Sequence, residues 1–259
     1  MDFIPFSKWI VDAPGWVKGL PEWLQDFIYQ LYQTFIKGGR WKLFVDGLKI
    51  TFIVAFGALL LGIILGMIVA IIRTLYESDA GKKKSVILKV ANYICQLYLT
   101  VIRGTPMMVQ LLIMGFVIMT PKTNTGMIFC GIITLGINSG AYVAEICRSG
   151  LMSINAGQTE AGRSLGLNYV QTLWYILIPQ AIKNILPALG NEAITLLKDT
   201  SLVSVIALRD VTQQAQNIAN ITYKAFVPYI SLALIYLCIV VVMTKLLSIL
   251  ERRLRKSDH

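Results

Sequence analysis

Residues 50–72 read ITFIVAFGALLLGIILGMIVAII, a run of 23 positions without one Asp, Glu, Lys or Arg. As a helix rising about 1.5 Å per residue it covers roughly 34 Å, enough to cross a hydrocarbon core of about 30 Å. No water reaches backbone groups in that core, so such a run must be helical and satisfy its own hydrogen bonds. The rest of the chain agrees. Of its 259 residues, 56% are hydrophobic and only 15% charged, with a mean hydropathy of +0.65. A soluble domain of this length needs far more charge on its surface.

Four further apolar stretches follow. Val90–Thr120 is interrupted only by Arg103, with Gly104 and Pro106 just after it, and Gly126–Ala144 is uncharged. Residues from about 172 to 197 carry Lys183 and Glu192, and bends are expected at Pro179 and Pro187. Phe226–Leu247 is uncharged until Lys245. The expected fold is an all-α membrane protein of about five transmembrane helices with its termini on opposite sides. Lys and Arg crowd one side: Arg73, Lys82, Lys83, Lys84 and Lys89 after the first span, Arg148 and Arg163 after the third, and Lys245, Arg252, Arg253, Arg255 and Lys256 in the tail. That side is the cytoplasmic one by the positive-inside rule, which places the N-terminus outside. The opposite side has Lys122, Arg209 and Lys224, and six N-terminal cations interleaved with five acids.

The organisation is thus an external or interfacial segment at 1–45, a transmembrane domain at 46–251 and a basic tail at 252–259. In the first segment Trp9, Trp16, Trp23, Phe27, Tyr29, Tyr32, Phe35 and Trp41 are spread among charges. Aromatic residues at that density suit a helix at the membrane–water boundary. The alternative is that residues 21–37 pack on the outer ends of the spans. Nothing there resembles a cleavable signal.

The third and fourth spans are joined by a loop, at about 150–176, with a fixed pattern. Glu160, Ala161 and Gly162 are followed after three residues by Gly166, after nine more by Ile176, and then by Ile178 and Pro179. Residues 153–165 suit one short helix capped near Asn155 or Thr159, Gly166 permits a turn, and residues 168–176 suit a second helix. This pattern resembles the cytoplasmic coupling ("EAA") loop of permease subunits in bacterial ABC importers. Gly162 stands where Ala is usual there, and Ile178 where Leu is usual. Flanking segments resemble the polar amino-acid branch of the family, among them the stretches 103–110, 138–148, 178–187, 190–192 and 198–206.

The resemblance implies a type I importer permease core in the bacterial inner membrane. It implies a second permease subunit, identical or homologous, two ATPase subunits docked on the coupling loops, and an extracytoplasmic amino-acid-binding protein. ATP and Mg2+ would bind the partner ATPases, and no cofactor is expected in this chain. Glu160, Ala161, Gly162, Gly166, Ile176 and Pro179 would form the coupling site. ATP binding would push the coupling helices and rock the spans about Pro179 and Pro187, switching a cavity between the two sides.

Other chemistries fit poorly. Residues 157–164 nearly match a phosphate-binding P-loop, but Arg163 stands where Lys is required and no buried strand precedes it. Residues 162–166 match the G-x-S-x-G nucleophile pattern, yet the one histidine is His259, at the end of the tail. The four cysteines show no metal-ligand spacing, and no metal or catalytic residue is assigned. The net charge of +10 belongs to cations flanking spans beside anionic lipid rather than to nucleic-acid binding. A secondary carrier would show two related halves, and no internal repeat is present. Within the importer class the runner-up is a permease for another small solute.

Polar groups inside spans are costly and line a pathway or pair with one another. On the pathway reading Arg103, Gln110, Asn138, Glu192, Lys198, Asp199, Thr200 and Ser201 surround a zwitterionic amino acid. On the structural reading Arg103 and Glu145 fix helix ends through ion pairs, and Lys198 and Asp199 pair locally.

Overall fold

The computed structural model describes residues 4–78 and 85–255. The expectations placed on Lys82, Lys83, Lys84, Lys256 and His259 lie outside them. Twelve α-helices occur among the described residues: α1 (Phe6–Asp12), α2 (Gly15–Lys18), α3 (Glu22–Leu31), α4 (Trp41–Ser78), α5 (Val86–Gly104), α6 (Met107–Ile113), α7 (Asn124–Met152), α8 (Ala156–Ser164), α9 (Tyr169–Thr172), α10 (Ile178–Asp199), α11 (Val211–Thr222) and α12 (Phe226–Arg255). Four of them, α4, α5, α7 and α12, are long and apolar enough to cross a membrane. Helix α10 has 22 residues, which suffices in length, but Lys183, Glu192 and Lys198 lower its hydropathy.

The stretch expected as one span at 90–120 is broken. Helix α5 stops at Gly104, and α6 begins after Pro106 and ends in a π turn at Met114–Ile118. The break follows from Pro106, which has no N–H to continue the ladder and disfavours helical backbone at Thr105. Arg103 therefore sits in the last turn of α5 rather than within a continuous span.

Helices α4 and α7 form the central pair, and glycines on both let their backbones approach. A Cβ on Gly66 would lie 2.6 Å from Val143 Cβ and 2.9 Å from the Ala144 nitrogen, and one on Gly62 would lie 3.0 Å from Ser139 Cβ. From the other side, a Cβ on Gly136 would meet Leu61 Cβ at 2.9 Å, and one on Gly140 would meet Leu65 Cβ at 3.0 Å. Lipid is as apolar as a leucine side chain, so association here rests on van der Waals contact that small residues permit. Around the pair, Val54 and Ala58 of α4, Cys130 and Leu135 of α7, Leu111 of α6, Leu196 of α10 and Val203, Ile206 and Leu208 form the main core. The opposite stripe of α4, with Phe56, Leu60, Ile64, Ile68 and Ile71, stays exposed and suits lipid.

At the end of the bundle that holds the start of α4, α7 and α12, helix α11 crosses α4 at close range. A Cβ on Gly47 would lie 2.7 Å from Val211 Cα. The N-terminal helices fold onto this end. Asp26 of α3 meets Lys224 at 3.1 Å, the Tyr29 hydroxyl donates to the Ile4 carbonyl at 2.5 Å, and Phe35 stacks on Phe44. Arg40, 1% exposed, donates to the Gln33 carbonyl at 2.5 Å. Trp16 and Trp23 remain exposed, so the segment both packs on the span ends and presents aromatics outward.

Asp210, fully buried, caps α11 by accepting from the backbone N–H groups of Thr212 at 3.1 Å and Gln213 at 2.9 Å. It lies outside the four apolar spans. Burial pushes its carboxyl from 3.8 up to about 6, against the pull of those donors. A carboxyl raised on folding contributes stability below its unfolded value that is lost as pH rises through the folded one.

Three outcomes are expected. Gly66→Ala should cost about 1–3 kcal/mol through overpacking, read as a lower midpoint in thermal unfolding of the detergent-solubilised protein. Gly131→Ala, whose Cβ would sit an ordinary 3.5 Å from Val203 and Val54, should be tolerated. Between pH 4 and 6 the wild-type midpoint should fall relative to that of Asp210→Asn, which keeps the cap without the charge; a relative rise would reverse the sign assigned to the buried carboxyl.

Candidate functional site

The segment between α7 and α10 is a two-helix knob with its own capping. The Asn155 side chain accepts from the Gly157 N–H at 2.8 Å and starts α8. Its end is closed by Gly166, at φ +83°, with the Leu167 N–H bonding back to the Gly162 carbonyl at 3.1 Å and the Gly166 N–H to the Arg163 carbonyl at 3.0 Å. These bonds satisfy carbonyls that the helix end would leave unpaired, and the left-handed residue they require is cheap only for glycine. Asn168 and Gln171 then cap each other, each side chain accepting from the other's backbone N–H at 2.9 Å.

Gly162 is the seam between the two helices. A Cβ there would lie 2.7 Å from Thr172 Cγ2 and 3.0 Å from Ile176 Cδ1. The branched side chain of Thr172, fully buried, occupies the space that a methyl on residue 162 would need. That explains the glycine where the resemblance leads one to expect alanine. Thr172 is the site residue that reading the sequence missed, because only the packing of α8 on the following turn brings it there.

Residues 173–177 form a π turn that leads into α10, and Pro179 stands in the first turn of that helix. The knob is also tied to α10 by Gln180, whose side chain donates to Gln158 at 3.3 Å, and by Asn184, which donates to Ser153 at 2.8 Å. Pro187 lies inside α10 and offers no N–H to the carbonyl one turn earlier. Glu160 is exposed and pairs with no described residue. Leu165, Val170, Trp174 and Tyr175 are each more than half exposed. The knob thus presents one free carboxylate among apolar side chains, a surface fit for a protein partner carrying a cation.

The residues expected to line a pathway separate into three groups. Gln110 closes the α5–α6 break: its amide nitrogen donates to the Ile102 carbonyl at 2.8 Å and to the Thr105 hydroxyl at 2.8 Å, while its oxygen accepts from Asn138 at 3.0 Å. The next residue of α7, Ser139, donates to Glu192 of α10 at 2.7 Å. Arg103 lies 3.6 Å from Glu145 and over the Tyr142 ring, and Arg148 also binds Glu145. Lys198 is exposed, Asp199 and Ser201 are half-buried, and the buried Thr200 hydroxyl donates to the Leu197 carbonyl at 2.6 Å. Asn138, Gln110, Ser139 and Glu192 are thereby joined through α7, whereas residues 198–201 sit apart at the end of α10.

An all-helical bundle with a capped knob between its spans is the architecture of an importer permease, and comparison with known proteins agrees. Residues 62–256 match the family described as the binding-protein-dependent transport system inner membrane component, and the chain belongs to that family. It is 34% identical over 215 residues to the glutamine transport system permease protein GlnP of Escherichia coli (strain K12), covering 82% of this chain and 93% of that one. It is also 34% identical over 217 residues to the arginine transport system permease protein ArtQ of Bacillus subtilis (strain 168), covering 83% and 93%. A crystal structure of an amino acid ABC transporter with histidines superimposes with a TM-score of 0.73 at 42% identity, covering 82% and 94%. An inward-facing structure of the MetNI methionine ABC transporter gives 0.66 at 21% identity and shows the shared fold alone.

Gly162→Ala is expected to loosen the knob, read as faster limited proteolysis between residues 163 and 168, and adding Thr172→Ser should recover part of the protection. Two sites in contact are expected to be non-additive by about 0.5–3 kcal/mol; equal cleavage of all three proteins would remove the seam.

Proposed function

We propose that this chain is the permease subunit of an ATP-driven importer for amino acids, pairing with a second permease subunit and coupled through its knob to two ATPase subunits. The single observation that carries the coupling assignment is the pre-shaped knob, with Glu160 unpaired and apolar side chains exposed beside it. Glu160, Ala161, Gly162 and Gly166 form the part that meets the ATPase, and Ile176 and Pro179 pass its movement into α10. ATP–Mg2+ would bind the ATPase subunits, and this chain would carry out no covalent chemistry. An external amino-acid-binding protein delivers the solute at the end of the bundle holding α11 and the N-terminal helices. On this reading the N-terminus is outside and the C-terminal tail cytoplasmic, in the inner membrane. Support comes from the cations around the knob end and from relatives named for glutamine and arginine transport.

The mechanism is alternating access. A rigid knob transmits displacement because its helices are capped internally. The π turn at Leu173–Leu177 and the prolines at 179 and 187 interrupt the regular backbone ladder just before α10 and within its first half, so that helix is where a push would be absorbed as a change of angle.

Glu160→Lys should lower ATP-driven uptake into proteoliposomes at least about tenfold, because a like-charge contact at an interface costs several kcal/mol. Membrane insertion and the thermal midpoint should be unchanged. Wild-type uptake by this variant, together with unaltered co-purification of the ATPase, would remove the coupling assignment.

A further inference from the structure

Two polar cavities lie along α7, and both are lined by cations. The first, of about 610 Å3, has Arg73 of α4, Gln96, Thr100, Arg103 and Gly104 of α5, and Tyr142 of α7 in its wall. The second, of about 500 Å3, has Lys122, Asn124, Arg209, Gln213 and Asn217 in its wall. Met127 lines the second and Tyr142 the first, so roughly 22 Å of helix separates them. Among the described residues no carboxylate lines either one.

The geometry points to a solute with a net negative charge, an acidic amino acid, as the preferred cargo of this permease; the inference rests on the amino-acid reading above. Around the first cavity three guanidiniums, of Arg73, Arg103 and Arg148, face two carboxylates, of Glu77 and Glu145. Glu145 is engaged by both Arg148 and Arg103, and Arg73 meets Glu77 only at 3.5 Å. The buried Nε of Arg73 has no acceptor among the described residues. A buried donor left without an acceptor is costly, and a carboxylate in the cavity would satisfy it. Arg73 and Arg103 come from different helices, which provides one guanidinium for each carboxylate of a dicarboxylic amino acid. The ammonium group has a favourable place in the same wall: Gly104 ends α5, where the helix dipole is negative. A guanidinium solute would enter a cavity already in cationic excess and meet repulsion. An uncharged side chain would leave one guanidinium without its second carboxylate. The second cavity repeats the selection with Lys122 and Arg209, both exposed, at the far end of the same helix.

The test uses proteoliposomes holding the complete importer, its ATPases and its binding protein, supplied with labelled L-glutamate, L-aspartate, L-glutamine, L-arginine and L-leucine. ATP-driven uptake of glutamate or aspartate should exceed that of glutamine in kcat/KM by about tenfold, the worth of one charge-assisted contact, and arginine should not be carried. With the binding protein unchanged, Arg103→Gln should lower glutamate uptake about tenfold and Arg103→Lys should restore part of it. Because Arg103 also pairs with Glu145, Arg209→Gln at the exposed rim serves as a second variant and should raise KM for glutamate more than it lowers kcat. Preference for glutamine or arginine would overturn the acidic assignment and leave the amino-acid importer standing. Failure to carry any amino acid would overturn both. Glutamate uptake unaltered in both Arg103→Gln and Arg209→Gln would remove these cavities from the route.

Discussion

The close contact of α4 with α7 is the constraint on which the rest of the molecule depends. In lipid, two apolar helices gain nothing from exclusion of water, so they stay together only where backbones come near enough for many weak contacts to add. Gly62 and Gly66 on one helix and Gly136 and Gly140 on the other remove the side chains that would hold the pair apart. With α7 fixed in this way, its neighbouring residues Asn138 and Ser139 reach in different directions, one to Gln110 of α6 and the other to Glu192 of α10. A single rigid helix thereby sets the positions of two others through one hydrogen bond each. Such bonds are strong location devices at membrane depth, since the alternative is an unpaired polar group in hydrocarbon.

The same economy holds at the ends of the bundle. At one end, α11 is held by the backbone-to-backbone contact at Gly47 and by the buried cap of Asp210. The N-terminal helices join through Asp26 and Lys224. At the other end the knob needs few contacts with the spans, because Asn155, Gly166 and the Asn168–Gln171 pair complete its helix termini locally. An element that is stable by its own capping and joined to a span through a π turn and a proline can move as a unit. The proposed coupling to a motor subunit requires that combination of a stiff part and a yielding joint.

Charge is distributed with equal consistency. Glu145 is engaged by Arg103 of α5 and by Arg148 of its own helix, and Glu192 by Ser139 of α7. Arg73 and Arg103 line a polar cavity while also meeting Glu77 and Glu145, and Lys122 and Arg209 line a second one with no carboxylate in its wall among the described residues.

A helical membrane protein with a patterned loop is legible in the order of residues alone, because long uncharged runs and capping residues act over neighbouring positions. The run at 50–72, the turn at Gly166 and the helix start at Asn155 are local physics, and they appear in the structure where the residues put them. The continuous second span did not survive, since Pro106 outweighed the apolar residues on both sides. Which distant side chains meet depends instead on how the helices pack. Thr172 fills the space above Gly162, Gln110 turns back to close a helix break, and Arg103 finds Glu145 and the Arg73 cavity because three helices converge there. Lys198 and Asp199 look equivalent to Arg103 as charges within apolar sequence, yet they lie apart from it. Spacing along a chain fixes the face of a helix on which a group lies, but the partner on that face is set by helix–helix packing.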